Sequence, residues 1–295
     1  MLFKDAKITI EPVEVPDYVG QTIKNIQYGP EEWQLLDLYL PKTENKAPLL
    51  LDLQGGGLVR GEKSSFKLGP SLKLVKDGYA VASMNYSLIS SRSFSFPKQI
   101  AEMRAAIKLL NQSADKYHLI ADKIDLAGES SGAQLALLYA ASVTAGVKLG
   151  HIQADDDLTG LPKVQHVIAN YGPYEFDQFA RQFAEEKIQP KYAESGQAIS
   201  FEGLALAGLS VTENPTGVSQ GNPANYFTEK MPAVIAYAGS DDQVVPYQQS
   251  QEMIERYRQM TGKDADFHLI EGGHHGIFDY DTIEIYQQKY NFLQQ

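Results

Sequence analysis

The amino-acid sequence predicts an α/β fold with a mostly parallel central sheet and helices on both of its faces. Short apolar runs alternate along the chain with longer segments that have helical spacing. Strands that alternate with helices in this way form βαβ units, whose strands pair in parallel. The chain has 295 residues and no internal repeat or Pro/Gly/Ser-rich linker, so we expect one continuous domain over 1–295.

The predicted strands differ in how their apolar residues are spaced. Residues 34–40 alternate apolar and polar positions, which is typical of a half-buried strand. Residues 48–53 form a nearly continuous apolar run, which is typical of a strand buried on both faces. The remaining predicted strands are 79–86, 123–127, 164–171, 232–238 and 266–270.

The predicted helices lie between or after these strands. Residues 98–111 show the clearest helical spacing, with one apolar face formed by Ile100, Met103, Ile107 and Leu110. The other predicted helices are 131–146, 247–261 and 281–294.

Residues 172–230 interrupt this alternation. They contain no predicted strand and many glycine, proline and asparagine residues, and Phe176, Phe179 and Phe183 indicate one helical piece. A segment of this length without strands in a compact domain is usually functional. We therefore expect a small cap insertion over the carboxyl ends of the strands, where open α/β sheets bind ligands.

Composition excludes several classes of function. The chain has no cysteine, which excludes disulfides, thiolate catalysis, iron–sulfur clusters and cysteine-based zinc sites. A net charge of −11 argues against a nucleic-acid partner, because phosphate binding requires a basic surface. No apolar segment is long enough to span a bilayer, and residues 1–7 lack the features of a signal peptide. These observations predict a soluble, cytoplasmic protein with no membrane partner.

The segment Gly128-Glu129-Ser130-Ser131-Gly132 carries the sharpest chemical signal. A predicted strand ends directly before it and a predicted helix follows, which is the context of a nucleophile elbow. Such a turn holds the hydroxyl of the central Ser130 above the sheet. The alternative is a glycine-bounded turn in which this serine only caps the helix.

A serine nucleophile needs a base, and the base needs an acid that orients it. In elbow proteins the acid and then the histidine follow the serine along the chain. Asp241 and Asp242 come directly after a predicted strand, and either of them could instead cap the following helix. His274 and His275 follow the last predicted strand, and normally only one of two such neighbours can reach Ser130.

A metal site is a weaker interpretation of the histidine pair. It would combine His274 and His275 with Asp279 or Asp281, but adjacent histidines without a third ligand at helical spacing form a poor zinc site. We therefore predict no metal and no cofactor. The remaining histidines are interpreted as structural or surface residues: His118, His151, His166 and His268.

Backbone donors for the oxyanion of a tetrahedral intermediate are predicted at two places. Residues 54–57 (Gln-Gly-Gly-Gly) follow a buried predicted strand, and glycine backbones can approach a ligand closely. The second place is the N–H of Ser131, the residue after the nucleophile. A flexible loop is the alternative interpretation of the three glycines.

With these motifs together, the chain resembles an α/β-hydrolase over nearly its whole length. It is most similar to bacterial carboxylesterases of the hormone-sensitive-lipase-like and acetylxylan/feruloyl-esterase-like groups. Family motifs match the glycine loop 55–57, the elbow 128–132, the acid loop 239–246 and the pair His275-Gly276. The resemblance implies an α/β-hydrolase fold and a serine hydrolase.

The resemblance also implies a role for each site residue. The catalytic residues would be Ser130, Asp242 and His275, with Asp241 and His274 as less favoured alternatives. The oxyanion donors would be the N–H groups of Gly56, Gly57 and Ser131. Three positions depart from the family pattern without removing a backbone donor: Gln54, Leu58 and Ser131.

The predicted function is that of a carboxylic ester hydrolase for short-acyl or aryl esters, which proceeds through an acyl-enzyme. Its predicted partner is a small-molecule ester, and a homo-oligomer remains an open option. One alternative is an arylformamidase or small peptidase on the same fold. An alternative of another class is a hydrolase-like binding protein that no longer turns over.

Overall fold

The structure is a computed structural model that describes residues 2–7, 9–89, 96–150 and 157–295. Its strands are β1 (Val19–Gln27), β2 (Leu35–Pro41), β3 (Leu49–Leu53), β4 (Ala80–Met84), β5 (Lys123–Glu129), β6 (Lys163–Asn170), β7 (Ala233–Gly239) and β8 (Asp266–Ile270). They form one sheet in the order β1-β2-β4-β3-β5-β6-β7-β8. The β1/β2 and β2/β4 pairs are antiparallel and all other neighbours are parallel, which confirms the predicted fold class.

The helices lie on both faces of this sheet. They are α1 (Gly69–Leu72), α2 (Lys98–Gln112), α3 (Ser131–Thr144), α4 (Phe179–Glu186), α5 (Phe201–Ala205), α6 (Pro215–Gly221), α7 (Gln248–Thr261) and α8 (Ile283–Leu293). None of the helices in the described ranges combines the length and the apolar character that a bilayer crossing requires.

Successive residues of the buried strands enter two separate apolar cores, because side chains alternate between the faces of a strand. In β3, Leu49 and Leu51 pack into the core that also contains residues of α2, α3 and α7. Leu50 between them packs on the opposite face with residues of α1 and α8. This three-layer arrangement fixes the strand ends from which the site residues project.

Two findings differ from the sequence-based expectations. Strand β1 was not predicted, because its side chains are mostly exposed and its pairing with β2 has two register shifts. The prediction that 34–40 is half buried is wrong, because β2 is buried on both of its faces. The polar residue Asp37 is buried there with an ion pair to Lys63 Nζ (2.8 Å) and a hydrogen bond from the Ser64 hydroxyl (2.7 Å).

The segment 172–230 contains α4, α5 and α6 and no strand. Phe179 and Phe183 lie in α4, whereas Phe176 precedes that helix. The segment connects β6 to β7, and these two strands are parallel neighbours in the sheet. The cap and the single domain over 1–295 stay predictions.

The strand order places a crevice at the carboxyl ends of β3 and β5. These strands are neighbours, with Leu53 of β3 opposite Gly128 of β5. The chain continues from β3 to β4 on one side and from β5 to β6 on the other. Open α/β sheets bind ligands at such a reversal. The glycine loop 54–57 and Ser130 directly follow these two strands.

Candidate active site

Ser130 lies at the sharp turn between β5 and α3, with φ of 52° and ψ of −126°. A non-glycine residue in this region is strained, which is typical of a nucleophile elbow. Both flanking glycines are required by close packing. A Cβ added to Gly128 would lie 2.4 Å from the Gly132 carbonyl oxygen, and one added to Gly132 would lie 2.0 Å from the Leu53 carbonyl oxygen. The first turn of α3 can therefore approach β3 only with glycine at these positions.

Ser130, His275 and Asp242 form a continuous hydrogen-bonded chain. Ser130 Oγ lies 3.0 Å from His275 Nε2, and His275 Nδ1 lies 2.7 Å from Asp242 Oδ2. The Asp242 carboxylate is fully buried, and its other oxygen accepts hydrogen bonds from the N–H groups of Val244 (2.7 Å) and Val245 (2.9 Å). With Nδ1–H donating to this carboxylate, Nε2 is left to accept the serine proton.

The alternative candidates, His274 and Asp241, lie apart from these three hydrogen-bonded side chains. His274 is exposed, and its Nδ1 lies 3.3 Å from Asp279 Oδ2, which also accepts its backbone N–H. Asp241 accepts a hydrogen bond from the Ser240 hydroxyl at 3.1 Å. It does not cap the next helix, because α7 has no side-chain cap at its first turn. The structure thus brings Ser130 together with His275 and not with His274.

Within the described ranges, no group of three or more His, Asp or Glu side chains is arranged to hold a metal ion. Asp281, one candidate ligand, forms an ion pair with Lys73 Nζ at 2.6 Å instead. The other described histidines lie apart from Ser130. His118 is exposed, His166 pairs with Asp125 at 2.8 Å, and His268 stacks on Tyr237. His151 lies outside the described residues.

The glycine loop 54–57 contacts the nucleophile directly. A Cβ added to Gly55 would lie 3.0 Å from Ser130 Cβ. No acceptor in the described part of the chain takes a hydrogen bond from Gly56 N–H, and Ser131 N–H at the start of α3 has no partner within the helix. Gly57 N–H, the other predicted donor, donates to the Ser131 hydroxyl at 3.0 Å.

The Ser131 hydroxyl ties the glycine loop to α3. It accepts hydrogen bonds from Gly57 N–H and from Leu58 N–H (3.3 Å). The start of the same loop is held by Tyr86, whose hydroxyl donates to the Gln54 carbonyl oxygen at 2.7 Å. The family pattern commonly has alanine at position 131. The serine found here is therefore the feature of the sequence that could have indicated this hydrogen-bond network.

Glu129, the residue before the nucleophile, is a buried carboxylate with three partners that the sequence did not indicate. They are Lys67 Nζ at 2.8 Å, the Tyr171 hydroxyl at 2.7 Å and Gly55 N–H at 3.1 Å. Burial raises the pKa of Glu129, but Lys67 and the hydrogen bonds outweigh it and hold this pKa below its usual value. Tyr171 in turn packs its ring against His275, with ring centroids 4.8 Å apart. An ionised Glu129 therefore supports both the glycine loop and the ring beside the histidine.

A cavity of about 280 Å³ opens above Ser130 and His275. The segment 172–230 contributes Phe179, Phe183 and other residues to its wall. The wall is rich in aromatic side chains: Phe3, Phe66, Phe179, Phe183, Tyr192, Phe201 and Phe278. An aromatic, partly enclosed cavity above a serine hydroxyl can hold an apolar acyl group next to the nucleophile.

The family comparison bears directly on this geometry. The model of the BD-FAE family matches residues 36–257. The chain belongs to the BD-FAE family. This family consists of α/β-hydrolase esterases, so the resemblance to bacterial α/β-hydrolase carboxylesterases is confirmed.

Curated relatives carry esterase names. Esterase LipC of Mycobacterium tuberculosis is 24% identical over 256 residues, which cover 86% of this chain and 59% of LipC. An acetyl esterase of Salmonella schwarzengrund is 36% identical over 103 residues, which cover 35% of this chain and 31% of that protein. The chain thus spans less than two thirds of the length of these relatives.

Solved structures share the whole fold. A truncated form of a carbohydrate esterase from gut microbiota has a TM-score of 0.81 and 25% identity, and the match covers 96% of this chain and 98% of that chain. Esterase B from Lactobacillus rhamnosis has a TM-score of 0.71 and 20% identity, with 96% and 86% covered. The match to Esterase B shows the shared fold alone, whereas the family and the carbohydrate esterase match support the prediction of a serine-hydrolase-type carboxylesterase.

Proposed function

We propose that this protein hydrolyses carboxylic esters through an acyl-enzyme formed on Ser130. The observation that carries the proposal is the hydrogen-bonded chain from Ser130 through His275 to the buried Asp242 at the floor of the cavity. Membership of the BD-FAE family supports the same class of reaction.

The roles of the three side chains follow from their order. His275 Nε2 takes the proton of Ser130 Oγ as this oxygen attacks the acyl carbon, and His275 then passes the proton to the leaving alcohol. Asp242 orients the ring and stabilises its cation without accepting the proton. A water molecule, activated by the same histidine, then hydrolyses the acyl-enzyme and releases the acid.

The oxyanion formed in both steps needs N–H donors from the glycine loop and α3. Gly56 and Ser131 can supply them without breaking a hydrogen bond to any other described residue, and the N-terminus of α3 adds its dipole. Gly57 would have to release the Ser131 hydroxyl first. Each donor contributes on the order of 10²–10³ in rate.

The cavity supports esters with a short acyl group. Its volume of about 280 Å³ is at the lower end for ligand sites, and its wall is rich in aromatic side chains. The acetyl esterase and carbohydrate esterase names of the relatives favour an acetyl-like acyl group on a small or carbohydrate alcohol. The reaction as proposed uses no metal or cofactor.

A matched ester and amide test this proposal. We expect turnover of p-nitrophenyl acetate, at most trace hydrolysis of p-nitroacetanilide, and labelling of the peptide that contains Ser130 by a fluorophosphonate. The fraction of turnover that is lost should increase in step with the fraction of protein that is labelled. Faster hydrolysis of the amide would favour an amidase instead. Neither label nor turnover would leave the hydrolase-like binding protein as the better interpretation.

The two adjacent aspartates provide a second test. Asp242→Asn is expected to lower kcat by about 10³–10⁴-fold, because an amide cannot stabilise the histidine cation and favours the wrong tautomer. Asp241→Asn is the matched control and should keep most of the wild-type rate, since the carboxylate of Asp241 hydrogen-bonds to Ser240 and not to His275. Initial rates with p-nitrophenyl acetate measure both. The reverse pattern would show that Asp241 is the acid.

A further inference from the structure

Phe3 lies against the glycine loop inside the cavity above the nucleophile. A Cβ added to Gly57 would lie only 2.2 Å from Cζ of the Phe3 ring. Tyr192 and Phe201 pack against this ring with centroids 5.1 and 5.7 Å away, and the Arg60 guanidinium lies 4.4 Å from its centroid. The ring is therefore enclosed by aromatic and cationic side chains and forms part of the cavity wall.

Polar contacts hold the segment that carries this ring. The Arg60 guanidinium donates hydrogen bonds to two backbone carbonyl oxygens of the segment, one of them that of Phe3. The Glu194 carboxylate accepts the Phe3 N–H. Farther along, residues 11–13 exchange backbone hydrogen bonds with residues 64–66. Backbone hydrogen bonds at Phe3 and farther along the segment thus fix where the ring enters the cavity.

The proposed reaction gives the two ends of the cavity different tasks. The leaving alcohol must lie beside His275, which protonates it, and the carbonyl oxygen must lie at the glycine loop. With the alcohol beside His275, the part of the cavity next to the glycine loop, where Phe3 covers Gly57, is available to the acyl chain. Phe278 follows His275 on the same loop and also lines the cavity.

We propose that Phe3 is a specificity-determining residue that closes the acyl end of the cavity and limits acyl-chain length. The proposal rests on the ester hydrolysis proposed for Ser130. A short acyl group ends before the ring, whereas a longer chain meets it. The hydrogen bonds from Arg60 and to Glu194 hold the backbone of Phe3, so the ring does not move aside.

The test compares kcat/KM for the p-nitrophenyl esters of acetate, butyrate, hexanoate and octanoate. Phe3→Ala is expected to raise the octanoate-to-acetate ratio of kcat/KM by about tenfold or more. Removal of the ring lets the longer acyl chain bury more methylene groups, and each buried methylene group raises kcat/KM by about fourfold. Phe3→Trp is expected to lower the butyrate-to-acetate ratio. Ile10→Ala, an exposed apolar position of the same N-terminal segment, is the control and should leave all ratios unchanged.

Each other outcome overturns the proposal in a recognisable way. An equal change for all four esters in Phe3→Ala would show that the segment controls access and not acyl length. Unchanged ratios in both Phe3 variants would remove the residue from specificity. A wild-type protein that hydrolyses none of the esters would instead reject the proposed function itself, and this proposal with it. Phe3→Trp is expected to shift the preference toward shorter esters, which is the opposite of the shift expected for Phe3→Ala. A loosened segment in Phe3→Ala could not by itself produce both shifts.

Discussion

Replacement of Ser130 by alanine is expected to lower kcat for p-nitrophenyl acetate by about 10³-fold or more. The substitution removes the hydroxyl that His275 Nε2 contacts at 3.0 Å and leaves the glycine loop and α3 in place. Oxyanion donors that remain should therefore keep some acceleration over the uncatalysed reaction. We expect KM to change little, because the alanine methyl group occupies the same turn. Initial rates over a range of ester concentrations measure both constants.

A serine on the protein surface serves as the matched control for this variant. The Ser210 hydroxyl donates to Glu213 at 2.7 Å on the exposed side of the segment 172–230. Ser210→Ala should therefore retain the wild-type rate. Fluorophosphonate should label this control and not Ser130→Ala. Equal rates for Ser130→Ala and the wild type would contradict the assignment of the nucleophile.

The parts of the fold that the sequence predicts well are those with a strong local pattern. β3 is a short apolar run at the centre of the sheet. In its neighbour β5, the apolar residues Ile124, Leu126 and Ala127 lead directly into the glycine-bounded elbow, so both strands can be placed from the sequence. β1 has no such pattern, because an edge strand with exposed side chains and register shifts lacks regular alternation. The error for β2 has another cause. Asp37 is polar in the sequence but buried, since Lys63 neutralises it from a distant segment.

The site residues likewise divide into those that a local motif indicates and those that only long-range contacts bring to the site. The elbow glycines, the acid loop and the histidine loop are local motifs, so the sequence could indicate candidate residues on each. The choice of Asp242 over Asp241 relied on family spacing, because adjacent residues of one loop share their local pattern. Phe3 and Lys67 carry no local signal at all. They reach the site through contacts with Gly57 and Glu129, and only the folded chain brings these pairs together.

Adjacent histidines with different surroundings allow a sharper test than the loss of a single residue. His275→Ala is expected to lower kcat by about 10³-fold or more, because no other side chain in the described ranges joins Ser130 to Asp242. His274→Ala is the matched control. Its side chain is 71% exposed and contacts Asp279, so its removal should leave most of the rate.

A double variant distinguishes loss of the base from general damage to the histidine loop. Residues that act as one catalytic unit are not additive, so Ser130→Ala combined with His275→Ala should be about as slow as either single variant. Damage to the histidine loop would instead lower the residual rate further, since residues 276–278 of that loop line the cavity in which the ester binds. Initial rates for the four variants, with thermal unfolding as a check on folding, measure this difference. An inactive His274→Ala beside an active His275→Ala would assign the base to His274, because only the true base is needed for proton transfer.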